Sequence, residues 1–166
     1  MRFTDYLAIY AAILSTSVFL WNILQSRPRV AIDLVPGLDD SAAKLRTGVY
    51  VIIRNVSSHD VHLAAIDVLY RYTDVQFRDR IAHLRRFRRL PLRLGWVHTS
   101  LSNLSIESGC PLRLEARKSH QVFLTDETVE QLLADATDRR LMAHVQDQLW
   151  NDVYSRPLTV PMRKRA

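Results

Sequence analysis

The stretch from Tyr6 to Ser26, YLAIYAAILSTSVFLWNILQS, holds 21 residues without a charged side chain. As a helix, a run of that length spans about 30 Å, the thickness of a bilayer's hydrocarbon core. Arg2 and Asp5 precede it, and Arg27 and Arg29 follow it. Pro28 should end it, because proline removes a donor and disfavours helix at the residue before it. Tyr6, Tyr10 and Trp21 stand toward its ends, where interfacial aromatics belong. A cleaved signal peptide would want a basic leader and a small-x-small site after the apolar run, and this segment offers neither. A core helix would carry a polar face, whereas the Ser, Thr and Asn here are scattered. Residues 1–28 are therefore expected to form a single-pass anchor. It meets the bilayer through residues 6–26, with Tyr6, Tyr10, Trp21, Arg27 and Arg29 at the interfaces.

Orientation follows from the basic residues close to the span. Arg2 lies on the amino side, against Arg27 and Arg29 on the carboxyl side, with Lys44 and Arg46 farther on. That imbalance favours a cytoplasmic C-terminal domain. The single cysteine, Cys110, agrees, since a reducing compartment tolerates a free thiol. One cysteine also excludes an internal disulfide framework and a Cys-based structural zinc site. The four glycines, at 37, 48, 95 and 109, are too dispersed for a phosphate-cradling loop. Asn55-Val56-Ser57 and Asn103-Leu104-Ser105 match the glycosylation triplet, which matters only in a secretory setting.

Beyond the anchor the pattern turns to β structure. Residues 30–35 (VAIDLV) read as a strand closed by Pro36-Gly37, and 48–54 (GVYVIIR) as a β-branched strand ending at the turn-prone Asn55-Val56-Ser57-Ser58. A third strand is predicted over 61–72. Two more, over 111–115 and 120–124, flank a hairpin-like break at Ala116–Ser119, and 141–146 and 154–160 add the last pair. Trp96, after Gly95, is expected in the core, and Trp150 packs against the edge of the domain or, in a turn over Trp150-Asn151-Asp152, stands partly exposed near Tyr154. A helix is predicted after Thr125, with Val129, Leu132, Leu133 and Ala136 at helical spacing and Glu127 and Glu130 serving its start. Phe77, Ile81 and Leu84 make a thin stripe over 75–90, readable as a helix capped by Asp74 or as a loop. Many strands without alternating helices point to an antiparallel two-sheet sandwich over 29–162, with an Arg-rich insertion at 74–93 and a basic tail at 163–166.

An apolar helix, Arg-Pro-Arg, the segment VYVIIRNVSSHDVHLAAIDV and the later PLRLEARKSHQVFLT give a layout of strand, turn and strand leading to a short helix. That layout resembles uncharacterised small bacterial membrane-anchored proteins with an immunoglobulin-like sandwich. The resemblance implies a mainly β, immunoglobulin-like fold with one or two short helices behind a transmembrane helix. It brings no functional residues with it.

Charge placement is the clearest chemical signal. Residues 71–93 carry eight arginines against Asp74 and Asp79, an excess of six that equals the net charge of the whole chain. Arg78, Arg80, Arg85, Arg86, Arg88, Arg89 and Arg93 are the candidate contacts for anionic headgroups or for the acidic surface of a protein partner. Nucleic acid is disfavoured, because single-strand readers interleave stacking aromatics and this stretch offers Phe87, with Phe77 and Trp96 at its edges. The histidines at 59, 62, 83, 98, 120 and 144 are scattered, and His59 and His62 point to opposite faces if their segment is a strand. No catalytic, metal or cofactor constellation is legible. The leading expectation is a non-enzymatic, membrane-tethered sandwich that recruits a protein partner. A lipid or nucleic-acid binder is the alternative, and a hydrolase assembled from distant residues comes third.

Overall fold

The computed structural model describes residues 3–26, 29–40, 45–88, 93–104, 106 and 109–161. Helix α1 (Phe3–Ser26) begins three residues before the uncharged run and takes Asp5 into its first turn, where a carboxylate suits the helix dipole. Over Thr4–Ile23 it is long and apolar enough to cross a membrane, and the protein buries none of that segment. The hydroxyls of Thr16 and Ser17 donate to the carbonyls of Ala12 and Ile13, each at 2.8 Å, so neither is left without a partner.

The remainder is mainly β. Strands β1 (Val30–Asp39), β2 (Arg46–Asn55) and β6 (Ser119–Thr125) form one antiparallel sheet in the order β1-β2-β6. The other sheet runs β4 (Trp96–Ser100), β3 (Val61–Arg71), β7 (Arg140–Asp147), β8 (Asp152–Tyr154). Two short strands complete it: β5 (Leu112–Leu114) on the start of β3 and β9 (Leu158–Thr159) on the start of β7. Val49, Val51, Ile53, Val122 and Leu124 from the first sheet meet Leu63, Ile66, Val68, Leu141, Ala143 and Val145 from the second in one hydrophobic core. Helix α3 (Asp126–Leu133) adds Val129, Leu132 and Leu133. The Thr125 hydroxyl caps it by accepting from the Thr128 N–H at 3.3 Å.

Several expectations need correction. Strand β1 runs on through Pro36-Gly37, because it is the edge of its sheet and an edge strand tolerates a missing donor. The predicted strand over 154–160 is broken into β8 and β9. At the break, Ser155 turns the chain by hydrogen-bonding Ala143 through both its backbone N–H and its side chain, each at 2.9 Å, ahead of Pro157. Ala116–Ser119 is a crossover between sheets rather than a hairpin, since β5 and β6 belong to different sheets. Strand β4 went unread. Trp96 opens it, half-buried opposite Arg71 and outside the core. Trp150 is 79% exposed, in a turn held by the Asp147 carboxylate, which accepts from Leu149 and Asn151 N–H at 2.8 Å each. Glu130 pairs with Arg139 through both carboxylate oxygens instead of serving the start of α3.

Where β2 leaves its sheet, Asn55 is only 2% exposed. Its Nδ2 donates to the carbonyls of His59 (2.7 Å), Leu114 (3.0 Å) and Glu115 (3.1 Å). Its Oδ1 accepts from the N–H and hydroxyl of Ser57, at 3.0 and 2.6 Å. One amide thus ties the end of β2 to β5 of the opposite sheet, and it closes the first glycosylation triplet to modification in the folded state. Replacing Asn55 by Ala leaves buried carbonyls without donors, and urea unfolding should show a loss of about 3 kcal/mol. Ser57→Ala should cost about 1 kcal/mol. An unchanged midpoint for Asn55→Ala would refute this role.

Candidate functional site: an arginine helix and a polar cluster

The arginine segment folds as helix α2 (Phe77–Phe87), with no buried residue. Its cap is Gln76, not Asp74: the Asp79 carboxylate reaches back to the Gln76 N–H at 3.0 Å. Asp74 instead pairs with Arg71 at 2.7 Å, and Arg71 also reaches Asp138 at 3.4 Å, which withdraws Arg71 from the patch. Phe77, Ile81 and Leu84 fall at i, i+4 and i+7, one stripe flanked by Arg80 and Arg85. Phe77 is 76% exposed, and Leu84 and Phe87 are exposed as well. Phe87 lies against the His83 ring, with the Arg86 guanidinium 5.4 Å from its centroid. Arg78, Arg80, Arg85, Arg86 and the capping residue Arg88 are all exposed. Arg89 and Arg27 lie outside the described residues. Tyr6, Tyr10 and Trp21 are exposed along α1, and Arg29 is exposed at the entry to β1, where its carbonyl accepts from Val56 N–H at 2.9 Å.

Arg93 is placed elsewhere. Its guanidinium lies 3.0 Å from the centroid of the Tyr154 ring, beside a polar cluster on the outer face of the second sheet. A β-bulge builds this cluster. Along β3, Val61 and Leu63 enter the core, and simple alternation would send Ala65 and Asp67 after them. The register with β7 shifts between Leu63 and Ala65, leaving Ala64 as an extra residue. Ile66 and Val68 take the core positions, and Asp67 turns outward. There it faces His144 directly across the β3–β7 pair, while β8 sets Tyr154 opposite His144 on the other side.

The geometry is close. Asp67 Oδ2 is 3.1 Å from His144 Nδ1 and 3.8 Å from His98 Nδ1, and Asp152 Oδ1 is 3.0 Å from His144 Nε2. The His144 ring lies 4.5 Å from Tyr154 and meets His98 edge-on at 5.1 Å. His144 is buried, Asp67 partly buried, and His98 exposed. Asp67, His98 and His144 present ligand-type atoms within 4.8 Å of one another. Burial alone would lower the His144 pKa, but hydrogen bonds to Asp67 and Asp152 outweigh it and raise the value. The same bonds from His144 hold both carboxyls below their usual range, against partial burial. Along the chain these histidines are scattered. The partners sit on four strands, and the one local signal was Asp67 breaking the inward alternation of β3.

No protein-family model matches this chain, and no curated protein matches it. A solved structure described as "X-ray structure of Northeast Structural Genomics Consortium target SoR45" is similar at 8% identity and a TM-score of 0.32, covering 86% of this chain and 98% of that one.

The cluster makes stability depend on pH with a definite sign. His144 contributes fully below its ordinary pKa of about 6.5, and that contribution is lost as pH rises through its raised folded value. Asp67 and Asp152 contribute above about 3.8, and theirs is lost as pH falls through their lowered folded values. Among the described residues, the groups facing His144 are Asp67 from β3, His98 from β4, and Asp152 and Tyr154 from β8, with Arg93 over Tyr154. In chelator-containing buffer, the melting temperature should peak between about pH 4 and 6.5 and fall on the alkaline side. Asp152→Asn should flatten the alkaline fall. An alkaline limb of unchanged steepness in that variant would contradict the assignment.

Proposed function

We propose that this protein is a non-enzymatic, single-pass membrane-tethered β protein whose Arg-rich helix α2 rests on the anionic headgroups of the cytoplasmic leaflet. The observation that carries the reading is α2 itself: an apolar stripe with Phe77 and Leu84 exposed and Ile81 half-buried, bordered by arginines whose stems can lie along lipid while their heads stay at the phosphates. The length and apolar character of α1 support the tether, as do its self-satisfied hydroxyls. Arg27 and Arg29, set against Arg2, support the orientation. Two antiparallel sheets sharing one core support an immunoglobulin-like plan.

Recruitment of a protein partner is the second reading, favoured by the turn between β7 and β8. Asp147 holds that turn and presents Leu149 and Trp150 to solvent, and a displayed aromatic of this kind is enriched at protein interfaces.

The first reading is tested with the full-length protein in nanodiscs, carrying a nitroxide at Leu84→Cys in a Cys110→Ala background. In bilayers containing anionic lipid, oxygen accessibility should place the label at the headgroup–acyl boundary, and in neutral bilayers in water. Changing Arg80, Arg85, Arg86 and Arg88 to Gln should release it. Each arginine contributes about 1 kcal/mol near the surface, less at high salt because screening acts over about 8 Å. A water-exposed label in both bilayers rules the lipid contact out and favours the partner reading.

A further inference from the structure

We propose that Asp67, His98 and His144 bind one divalent transition-metal ion, zinc by donor type, on the outer face of the second sheet. The argument starts from Asp67 Oδ2, on which both histidine Nδ1 atoms converge at 3.1 and 3.8 Å. In a tetrahedral zinc site with bonds of about 2.0–2.1 Å, neighbouring ligand atoms stand about 3.3 Å apart. The two separations bracket that value. The His98 imidazole is exposed, whereas His144 is buried and hydrogen-bonded to Asp67 across paired strands.

The surroundings of His144 carry the inference further. Its Nε2 faces Asp152 Oδ1 at 3.0 Å, and a carboxylate accepts hydrogen bonds without donating any. Both ring nitrogens of His144 thus face carboxylates, and when the ring carries a single proton on Nε2, toward Asp152, the Nδ1 lone pair faces Asp67 Oδ2, itself an acceptor. Two acceptors facing each other at 3.1 Å need a cation between them, either a proton or a metal ion. A carboxylate behind the outer nitrogen of a ligating histidine is the arrangement that orients and strengthens such ligands in metal sites. Two imidazoles and one carboxylate suit zinc, and the negative charges of Asp67 and Asp152 match a divalent ion. Arg93 is a neighbouring cation among the described residues, and it is engaged over the Tyr154 ring. Three protein ligands leave a fourth position for water or a small anion beside exposed His98. Such an ion would bridge β3, β4 and β7, with β8 tied on through Asp152.

The test uses the full-length protein in detergent micelles, stripped with a chelator and dialysed. Zinc is titrated against a chromophoric competitor, and cobalt is followed by visible absorption. One equivalent should bind at micromolar concentration or below, with the intense visible bands of four-coordinate cobalt. His98→Ala, at an exposed position, should weaken binding on the order of 100-fold, and Asp152→Asn by about 10- to 100-fold. His62→Ala should bind like the parent. Circular dichroism on each variant separates ligand loss from misfolding. The absence of stoichiometric uptake overturns the proposal, as does equal affinity in His98→Ala. So does a chelated parent whose His144 ring, seen by nitrogen-15 NMR, stays doubly protonated after zinc is added, because a proton then occupies the place assigned to the ion.

Discussion

A two-sheet core needs something that decides how the sheets meet, because apolar faces attract without direction. Here that function falls to the Asn55 side chain, whose three acceptors and two donors all lie within 2.6–3.1 Å. A buried amide is costly unless satisfied, so the arrangement admits few alternatives: Leu114 and Glu115 must approach, and the 57–59 loop must fold under. The Asn55 N–H adds a bond to the Lys118 carbonyl at 2.9 Å, so both ends of the crossover into β6 are tied at one place.

On that face the decisive event is a single inserted residue. Ala64 shifts the alternation of β3 so that a carboxylate leaves the core and meets two imidazoles. With unbroken alternation Asp67 would point into the hydrophobic core, where a charge without partners is not tolerated. The bulge therefore relieves a local conflict and creates the cluster in one step. Small side chains at Ala64 and Ala65 suit the crowding that such a kink brings.

Helix α2 and the cluster divide the arginines between two tasks. Arg71 and Arg93 serve the fold, the first with Asp74 and Asp138 and the second over Tyr154. Arg78, Arg80, Arg85, Arg86 and Arg88 stay exposed on or next to a helix whose apolar stripe keeps Phe77 and Leu84 exposed. Charge counting along the chain treats these arginines alike. Their separation depends on where β3 ends and β4 begins, a junction at which the Gly95 carbonyl accepts from the N–H groups of Tyr72 and Thr73 at 2.9 and 3.3 Å. Gly95 has φ +85°, and a Cβ there would stand 2.4 Å from the Thr73 carbonyl oxygen, so the turn requires glycine.

Much of the architecture was legible in the sequence, because it rests on short-range patterns. An uncharged run as long as a bilayer core is thick made α1 readable, the β-branched stretch made β2 readable, and Thr125 with its periodic apolar followers marked α3. The arginine cluster was visible as composition. Strand β4 was not, since WVHTS carries no alternation, and it is a strand because it can pair with the outer end of β3. The split between β8 and β9 likewise depends on Ser155 finding Ala143 across the sheet. The polar cluster lies at the far end of this scale. Asp67, His98, His144 and Asp152 are up to 85 positions apart in the chain. Their meeting depends on one bulge and three strand registers, and register is a property of paired strands that a linear pattern does not carry.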